Sequence, residues 1–332
     1  MQLLKNIKKN TLLLLVITIV TLCVVLKDDF SGIMQTLQTL DLKFILVALI
    51  LFLFSVSLKG YSNYLIVNDK KKISLKEAIK HNFITQLFNG ITPFSSGGQP
   101  MEIYMLTEHG ISFSKATNYT VQSFIFYQIA LIILGTLAVM YNFVFHIFPK
   151  VKLLQHLVLL GFIINIAVIV FLIFISYSKR FMRKSSRALA KISKKLKLNI
   201  SEAEIDKKLE EYHDGFRELK HNKKLIFTGI GLNLLSLISL YLIPLFILFS
   251  MNNFHALTII ETITTSAYVY LIGAFVPVPG ASGGIEYGFS QLFGNFIFNQ
   301  ELSVTLLVWR NITYYLGMII GAILFNLEKK VK

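Results

Sequence analysis

The sequence predicts an all-α, polytopic integral membrane protein, and three observations lead to this fold class. Hydrophobic residues make up 54% of the 332 residues and charged residues only 15%, whereas about 25% of residues are charged in soluble domains. Apolar runs long enough to cross a bilayer as helices recur along the chain. The lysines and arginines behind the net charge of +15 gather in alternate connecting segments, which is typical of membrane topology. We therefore expect no nucleic-acid partner.

Six apolar runs are predicted to be transmembrane helices, because about 20 mostly apolar residues span a bilayer. The first resembles a signal peptide, but the residues after it make a poor cleavage site, so we interpret it as a retained helix. The fifth contains Pro244, which is predicted to kink it. The six runs are residues 11–26, 42–67, 116–145, 153–177, 225–250 and 303–327.

The distribution of basic residues predicts how the chain is oriented. Because cytoplasmic segments carry an excess of lysine and arginine, the basic segments are placed inside and the others outside. The protein is then a multi-pass protein of a bacterial or archaeal cell (inner) membrane, with both termini in the cytoplasm. The basic segments are 1–9, 70–80, 178–224 and 329–332, and the segments with few basic residues are 27–41, 146–152 and 251–257.

Two remaining segments interrupt the apolar pattern with helix-breaking residues. Six crossings with both termini inside require segment 73–115 to enter and leave from the cytoplasmic side, and segment 255–300 from the outer side. Both are predicted to be re-entrant hairpins, since irregular backbone at membrane depth is tolerated only where protein or a polar cavity surrounds it. The residues expected to form these hairpins are Pro93, Pro100, Pro277, Pro279 and Gly280.

The two hairpins carry related motifs, Pro93–Glu102 and Pro277–Glu286, each with a Ser-Gly-Gly triplet between its proline and its glutamate. Aligning the first prolines gives an offset of 184 residues, at which the glutamates match and the triplets are two positions out of register. Interrupted helices at corresponding places in two halves are the signature of an inverted-topology repeat. Coincidence in a glycine-rich membrane protein is the alternative.

The whole chain, residues 1–332, is predicted to be a single membrane domain. The basic cytoplasmic segment 178–224 divides it into a first repeat half, 1–177, and a second, 225–332. This segment shows an amphipathic helical pattern and is too short for a catalytic domain of ordinary size. We expect it to lie on the bilayer or on neighbouring loops.

These motifs resemble those of a known family. The first half carries Pro-x-Ser-x-Gly-Gly-x-Pro at 93–100, the second carries Pro-Gly-x-x-Gly-Gly-x-Glu at 279–286, and Arg310 follows among aromatic residues of the last span. The combination resembles the lysylphosphatidylglycerol synthase transmembrane region, also described as a flippase-like domain. Related sequences commonly carry Glu-Pro-Leu-Arg where this chain has Gln-Pro-Met-Glu at 99–102, so the resemblance supplies no basic contact there.

The resemblance implies a function in lipid translocation. The full-length synthase attaches lysine to phosphatidylglycerol with a soluble domain, and its membrane part is thought to move the product to the outer leaflet, which repels cationic antimicrobial peptides. This chain ends five residues past its last predicted span, so we interpret it as a stand-alone member without the lysyltransferase domain. We expect a flippase-like translocase that moves or binds an anionic or aminoacylated phospholipid such as lysylphosphatidylglycerol.

Other functions stay open. The chain is alternatively a lipid-modifying enzyme of the phosphatidylglycerol lysyltransferase type, or the membrane partner of a separate lipid transferase or polyprenol glycosyltransferase. The expected partner is a membrane phospholipid, and a homo-oligomer is compatible with the sequence.

The glycines of both motifs have two interpretations. Glycine before a helix lets backbone N–H groups point at an anion, so each triplet could hold a lipid phosphate at a helix N-terminus. Alternatively, the glycines only turn the hairpin or permit close helix packing. The triplets are Ser96-Gly97-Gly98 and Ser282-Gly283-Gly284.

Arg310 is expected to be functional, because a charge several residues inside a transmembrane helix is costly unless it is paired or hydrated. Its partner is Glu286, Glu261 or a lipid phosphate, which a guanidinium binds through two hydrogen bonds. The alternative is a structural ion pair that holds the last helix to the hairpin. Glu102 and Glu286 either contact an ammonium head group or act as helix caps and ion-pair partners. The predicted head-group residues are Ser96, Gly97, Gly98, Gln99, Glu102, Ser282, Gly283, Gly284, Glu286 and Arg310.

No catalytic residue, metal or cofactor is predicted. The seven histidines show no metal-ligand spacing, and no Walker loop is present. Aromatic residues near the second hairpin are interpreted as an interface belt or as a head-group cage. They are Tyr268, Tyr270, Trp309, Tyr314 and Tyr315.

Overall fold

The computed structural model describes residues 30–67, 72–148, 152–177, 202–273, 276 and 278–331. Every regular element within these ranges is helical, which confirms the all-α class. Four of the described helices are long and apolar enough to cross a membrane, so the chain is a polytopic membrane protein. They are Leu42–Ile66, Phe113–Phe145, Lys223–Ser250 and Asn299–Glu328. The predicted first span at 11–26 and Pro277 lie outside the described residues.

The first half contains six described helices. Three of them begin at polar caps that satisfy free backbone N–H groups: Asp41 accepts from the Lys43 N–H, Ser74 and Glu77 form a capping box, and Ser112 accepts from Lys115. The apolar part of the sixth helix, Val158–Phe174, is shorter than the four long spans. The helices are α1 Phe30–Gln38, α2 Leu42–Ile66, α3 Leu75–Gly90, α4 Gly98–Glu108, α5 Phe113–Phe145 and α6 Lys152–Tyr177.

Both long spans of the second half are interrupted. The predicted kink in the first of them is confirmed, because the helix breaks at Leu242, two residues before Pro244. The last span contains an unpredicted π-helical turn at Asn311–Leu316, a feature that often marks functional sites. The basic segment between the halves contains α7 Glu202–His221, and the helices that follow it are α8 Lys223–Tyr241, α9 Ile243–Ser250, α10 Ile259–Gly273, α11 Gly284–Phe293, α12 Asn299–Arg310 and α13 Gly317–Val331.

Each segment that was predicted to be a hairpin consists of two helices joined by a short 3₁₀ turn. The first turn, Pro93–Ser95, joins α3 to α4, and the second turn, Pro279–Ala281, joins α10 to α11. The two turns pack against each other. The irregular backbone of both hairpins therefore meets in one place. The side from which each hairpin enters the bilayer stays a prediction.

The two turns share a backbone conformation, which corrects the predicted register of the repeat. The second and third residues of each turn have positive φ, at 54° and 50° in the first turn and 60° and 53° in the second. This match pairs Pro93 with Pro279 and Gly98 with Gly284, at an offset of 186 residues. The alignment of Pro93 with Pro277 is therefore wrong, and the Ser-Gly-Gly triplets are in register. The prolines suggested the wrong alignment because more residues separate the first helix from the turn in the second hairpin than in the first.

The same offset of 186 residues relates Phe113, where α5 begins, to Asn299, where α12 begins. The helices also pack across the halves: α3 lies on α13, α10 lies on α5, and α2 lies on α8. In the first two of these contacts, a hairpin helix of one half packs against the long helix that follows the hairpin of the other half. Two halves related by a twofold axis would make contacts of this reciprocal kind.

The basic segment between the halves is helical where it is described. Helix α7 packs against α5 and α6, with Phe216 and Leu219 buried. The Gln122 side-chain amide of α5 donates to the Gly215 carbonyl at 3.2 Å. Helix α7 therefore lies on the transmembrane helices themselves, whereas residues 178–201 lie outside the described ranges.

Candidate functional site

An ion pair between Arg310 and Glu286 lies beside the second turn. The Arg310 Nε and Nη2 atoms lie 2.7 and 2.6 Å from Glu286 Oε1, and both residues are only 7% exposed. Arg310 Nη2 also donates to the Ser282 hydroxyl at 3.3 Å and to the Gly280 carbonyl at 3.4 Å. Of the two protein side chains considered as partners for Arg310, Glu286 is the one that it contacts. Glu261 instead accepts from the Thr258 N–H and hydroxyl at the start of α10.

Glu286 is positioned by the start of α11. Its second carboxylate oxygen, Oε2, accepts from the Gly283 N–H at 2.6 Å, and a negative charge in the first helical turn is favoured by the helix dipole. Gly283 has φ of 85°, a conformation that side-chain-bearing residues rarely adopt. Glu286 therefore caps its helix and binds Arg310 at the same time.

Tyr314 connects this network to the other hairpin. The Arg310 guanidinium carbon lies 4.4 Å from the centre of the Tyr314 ring, a cation–π distance. The Tyr314 hydroxyl donates to the Gly90 carbonyl at the end of α3, at 2.9 Å. Gly280 packs directly under this ring, since a side-chain carbon at Gly280 would overlap the Tyr314 hydroxyl. One tyrosine in the π-helical turn thus touches both hairpins and the buried charge.

The backbone N–H groups of three glycines in the triplets donate hydrogen bonds to oxygen atoms of the protein itself. The Gly97 N–H donates to Thr92 Oγ1 at 2.8 Å, and the Gly98 N–H donates to Asn89 Oδ1 at 2.8 Å. Gly283 donates to Glu286. These contacts stabilise the turns in this conformation. A phosphate that bound these amides would have to displace the protein oxygens.

Replacing Asn89 with alanine is expected to lower the stability by about 1 kcal/mol, the usual cost of removing a side chain that caps a helix. The reason is that the Gly98 N–H, at the first residue of α4, loses its acceptor. Asn89→Asp keeps an acceptor oxygen at this place and is the matched control. Thermal unfolding of the purified variants in detergent measures the effect. Equal losses in the two variants would contradict the capping role.

A second group of polar residues lies between α2, α4 and α5. Glu102 Oε1 accepts from the Asn63 amide at 2.9 Å, and the Ser123 hydroxyl donates to the Asn63 carbonyl oxygen. The Lys59 ammonium lies 4.8 Å from the centre of the Tyr127 ring. Among the described residues, no hydrogen bond or ion pair joins Glu102 to the Arg310 network.

The structure separates the predicted head-group residues into these two groups. Ser282, Gly283, Glu286 and Arg310 come together, whereas Glu102 belongs to the second group. Ser96 donates to the Pro93 carbonyl at the exposed first turn.

Two of the aromatic residues near the second hairpin lie inside the protein. Tyr268 and Trp309 are buried at 7% and 3% exposure. Trp309 stacks on Phe289 with ring centres 4.9 Å apart. These rings pack in the protein core and fix the helix that carries Arg310.

Three contributors were missed by sequence reasoning. No binding role was assigned to Lys59, Asn63 or Ser123 from the sequence. The signal was present, since polar residues inside apolar spans tend to hydrogen-bond across helices. The sequence Gln-Pro-Met-Glu at 99–102 contains no basic residue, and Lys59 of α2 supplies a basic side chain near Glu102.

Comparisons with known proteins cover both sites. The family model described as lysylphosphatidylglycerol synthase TM region matches residues 11–321. A UPF0104 membrane protein of Archaeoglobus fulgidus is 25% identical over 292 residues, which are 82% of this chain and 81% of that protein. No solved structure matches the chain. The family match contains both hairpins and the helix that carries Arg310.

Proposed function

The chain belongs to the lysylphosphatidylglycerol synthase transmembrane region family, and from this premise we propose that it is a phospholipid translocase. In this proposal a lipid head group binds where the two hairpin turns meet, and the lipid then passes between the leaflets. The lipid is anionic or aminoacylated, as lysylphosphatidylglycerol is. The family match supports a lipid-related role, and the Arg310 network supplies the residues for it.

The observation that carries the proposal is the buried guanidinium of Arg310. A charged side chain inside a membrane protein is costly, and such residues mark substrate pathways. A guanidinium offers the same planar pair of N–H groups to a carboxylate and to a phosphate. Glu286 takes this place in the structure. We propose that a lipid phosphate replaces Glu286 on Arg310 when the lipid binds.

The meeting of the turns supports translocation over simple binding. In transporters with inverted repeats, the binding site lies near the membrane midplane between interrupted helices of the two halves. Here the first and second turns pack together, and Tyr314 ties the second-half helix to Gly90 of the first hairpin. A change in this contact would open the site to one leaflet or to the other.

Leaflet exchange in reconstituted vesicles tests the function. Purified protein is incorporated with fluorescent phosphatidylglycerol or lysylphosphatidylglycerol, and a membrane-impermeant quencher reports which lipids reach the outer leaflet. The wild type is expected to exchange lipid faster than protein-free vesicles, and Arg310→Ala is expected to fall to the protein-free rate. Equal rates in the wild type and Arg310→Ala would overturn the mechanism.

The enzymatic alternative predicts a different result in cells. A lipid-modifying enzyme, or a partner of one, would change the total amount of a lipid species when the protein is removed. A translocase would leave the total unchanged and alter only the outer-leaflet share. Thin-layer analysis of total lipid, combined with labelling of outer-leaflet amines, separates the two functions.

A further inference from the structure

Lys59 of α2 lies one helical turn before Asn63, whose amide donates to Glu102 of α4, so two ionisable side chains of opposite sign lie close together without forming an ion pair. Each side chain acts electrostatically on the other, yet the ion pairs of the described residues do not include them. The contrast with Arg310 and Glu286, whose atoms approach to 2.6 Å, is direct. Arg310 and Glu286 form an ion pair, whereas Lys59 and Glu102 do not.

Uncharged partners hold both side chains in place. Glu102 receives one hydrogen bond from Asn63, which Ser123 fixes in turn. Lys59 lies over the ring face of Tyr127, an arrangement that attracts a cation but leaves its N–H donors pointing elsewhere. These contacts orient the two charges, and none of them neutralises either one.

The depth of the two side chains in the protein makes them candidates for binding a ligand. Lys59 lies seven residues before Ile66, the last residue of α2, which is about 10 Å along the helix. Ionisable residues at such depth are costly when unpaired and mark binding sites by default. Both residues are only partly buried, so a ligand can reach them. A ligand with its own positive and negative charge would neutralise both at once.

We propose that Lys59 and Glu102 form a second head-group site, separate from Arg310, for a lipid that carries both a phosphodiester and a primary ammonium. Lys59 binds the phosphate and Glu102 binds the ammonium through the carboxylate oxygen that Asn63 does not use. The proposal rests on the proposed function, since it takes a lipid head group as the ligand. The site lies near the end of α2 that precedes the basic segment 70–80, which is the predicted cytoplasmic side.

Binding of short-chain lipids to the purified protein tests this site. The probes are dihexanoyl phosphatidylethanolamine, its N-acetylated form and dihexanoyl phosphatidylglycerol, measured by thermophoresis. The wild type is expected to bind the free amine about tenfold more tightly than the N-acetylated form. Glu102→Gln, which keeps the acceptor for Asn63, is expected to abolish this preference. Lys59→Met is expected to weaken binding of all three probes by a similar factor.

Two exposed residues provide matched controls for charge alone. Lys76→Met on α3 and Glu218→Gln on α7 remove the same charges elsewhere and are expected to leave all affinities unchanged. The proposal is overturned if the wild type shows no preference for the free amine, or if Glu102→Gln retains it. Short-chain lysylphosphatidylglycerol, compared with phosphatidylethanolamine, then shows whether the amine comes from an aminoacyl ester or from ethanolamine.

The outcome for this site is distinguishable from the outcome for translocation. Amine preference without leaflet exchange would support the second site and overturn the translocase. Leaflet exchange without amine preference would support the translocase and overturn the second site. Combining Arg310→Met with Glu286→Leu is expected to leave the amine preference intact, and its loss would contradict two separate sites.

Discussion

Replacing Arg310 with alanine is expected to lower the free energy of unfolding by about 3–5 kcal/mol, because Glu286 would keep a buried charge without its partner. Glu286 is 7% exposed, forms an ion pair with Arg310 that includes one hydrogen bond from its Nε, and accepts a further hydrogen bond from the Gly283 amide. Equilibrium unfolding in mixed micelles measures the loss. A change below about 1 kcal/mol would contradict a buried ion pair at this place.

Two further variants separate the buried charge from the hydrogen bonds. The combination of Arg310→Met with Glu286→Leu leaves no charge unpaired and is expected to recover most of the lost stability. Arg217→Ala is the matched surface control, because Arg217 and Asp214 lie 3.8 Å apart and are 62% and 68% exposed. Exposed pairs contribute at most about 1 kcal/mol, so this variant is expected to be close to the wild type.

Replacing Gly280 with alanine is expected to lower the free energy of unfolding by about 2–4 kcal/mol, because it adds backbone strain and a steric overlap. Gly280 has φ of 60°, and its new methyl group would overlap the Tyr314 hydroxyl. The tyrosine would have to leave Gly90 and Arg310, which would separate the two hairpins. Leaflet exchange is therefore expected to fall together with the stability.

Gly110 provides the control for backbone strain alone. Its φ is 75°, and an added methyl group would meet no atom within 4 Å. Gly110→Ala is expected to lower the free energy of unfolding by about 1 kcal/mol, which is the cost of the backbone strain alone. Thermal unfolding of both variants in detergent makes the comparison. Equal losses in Gly110→Ala and Gly280→Ala would show that the contact with Tyr314 contributes nothing.

The helices could be predicted because apolar runs and caps are local signals. The long spans at 42–67 and 116–145 begin and end within a few residues of their predicted bounds, and Pro244 correctly placed a kink. The π-helical turn could not be predicted, since no residue type at 311–316 specifies it. Tyr314, which lies in this turn, contacts both hairpins.

The register of the repeat was missed for a conformational reason. Phe94 and Gly280 occupy the same positive-φ position, although phenylalanine seldom adopts this conformation. Aligning residue types therefore favoured the wrong proline. The structure resolves it through backbone geometry, which places Pro93 opposite Pro279.

The candidate site was only partly accessible from sequence. Glu286 was among the partners considered for Arg310, since a charge inside a transmembrane helix is costly unless it is paired. The Lys59 and Glu102 site is built from three helices distant in sequence. No spacing rule brings Lys59, Glu102 and Ser123 together, and only the packing of α2, α4 and α5 does so.

The most direct test of the account is the rate of leaflet exchange by the Arg310→Met/Glu286→Leu double variant in vesicles. This variant is expected to be folded, because its buried position no longer holds an unpaired charge. If Arg310 exchanges Glu286 for a lipid phosphate, the double variant exchanges lipid at the protein-free rate despite its recovered stability. Exchange at the wild-type rate would contradict the account, because the ion pair would then serve only to hold α12 against the second hairpin.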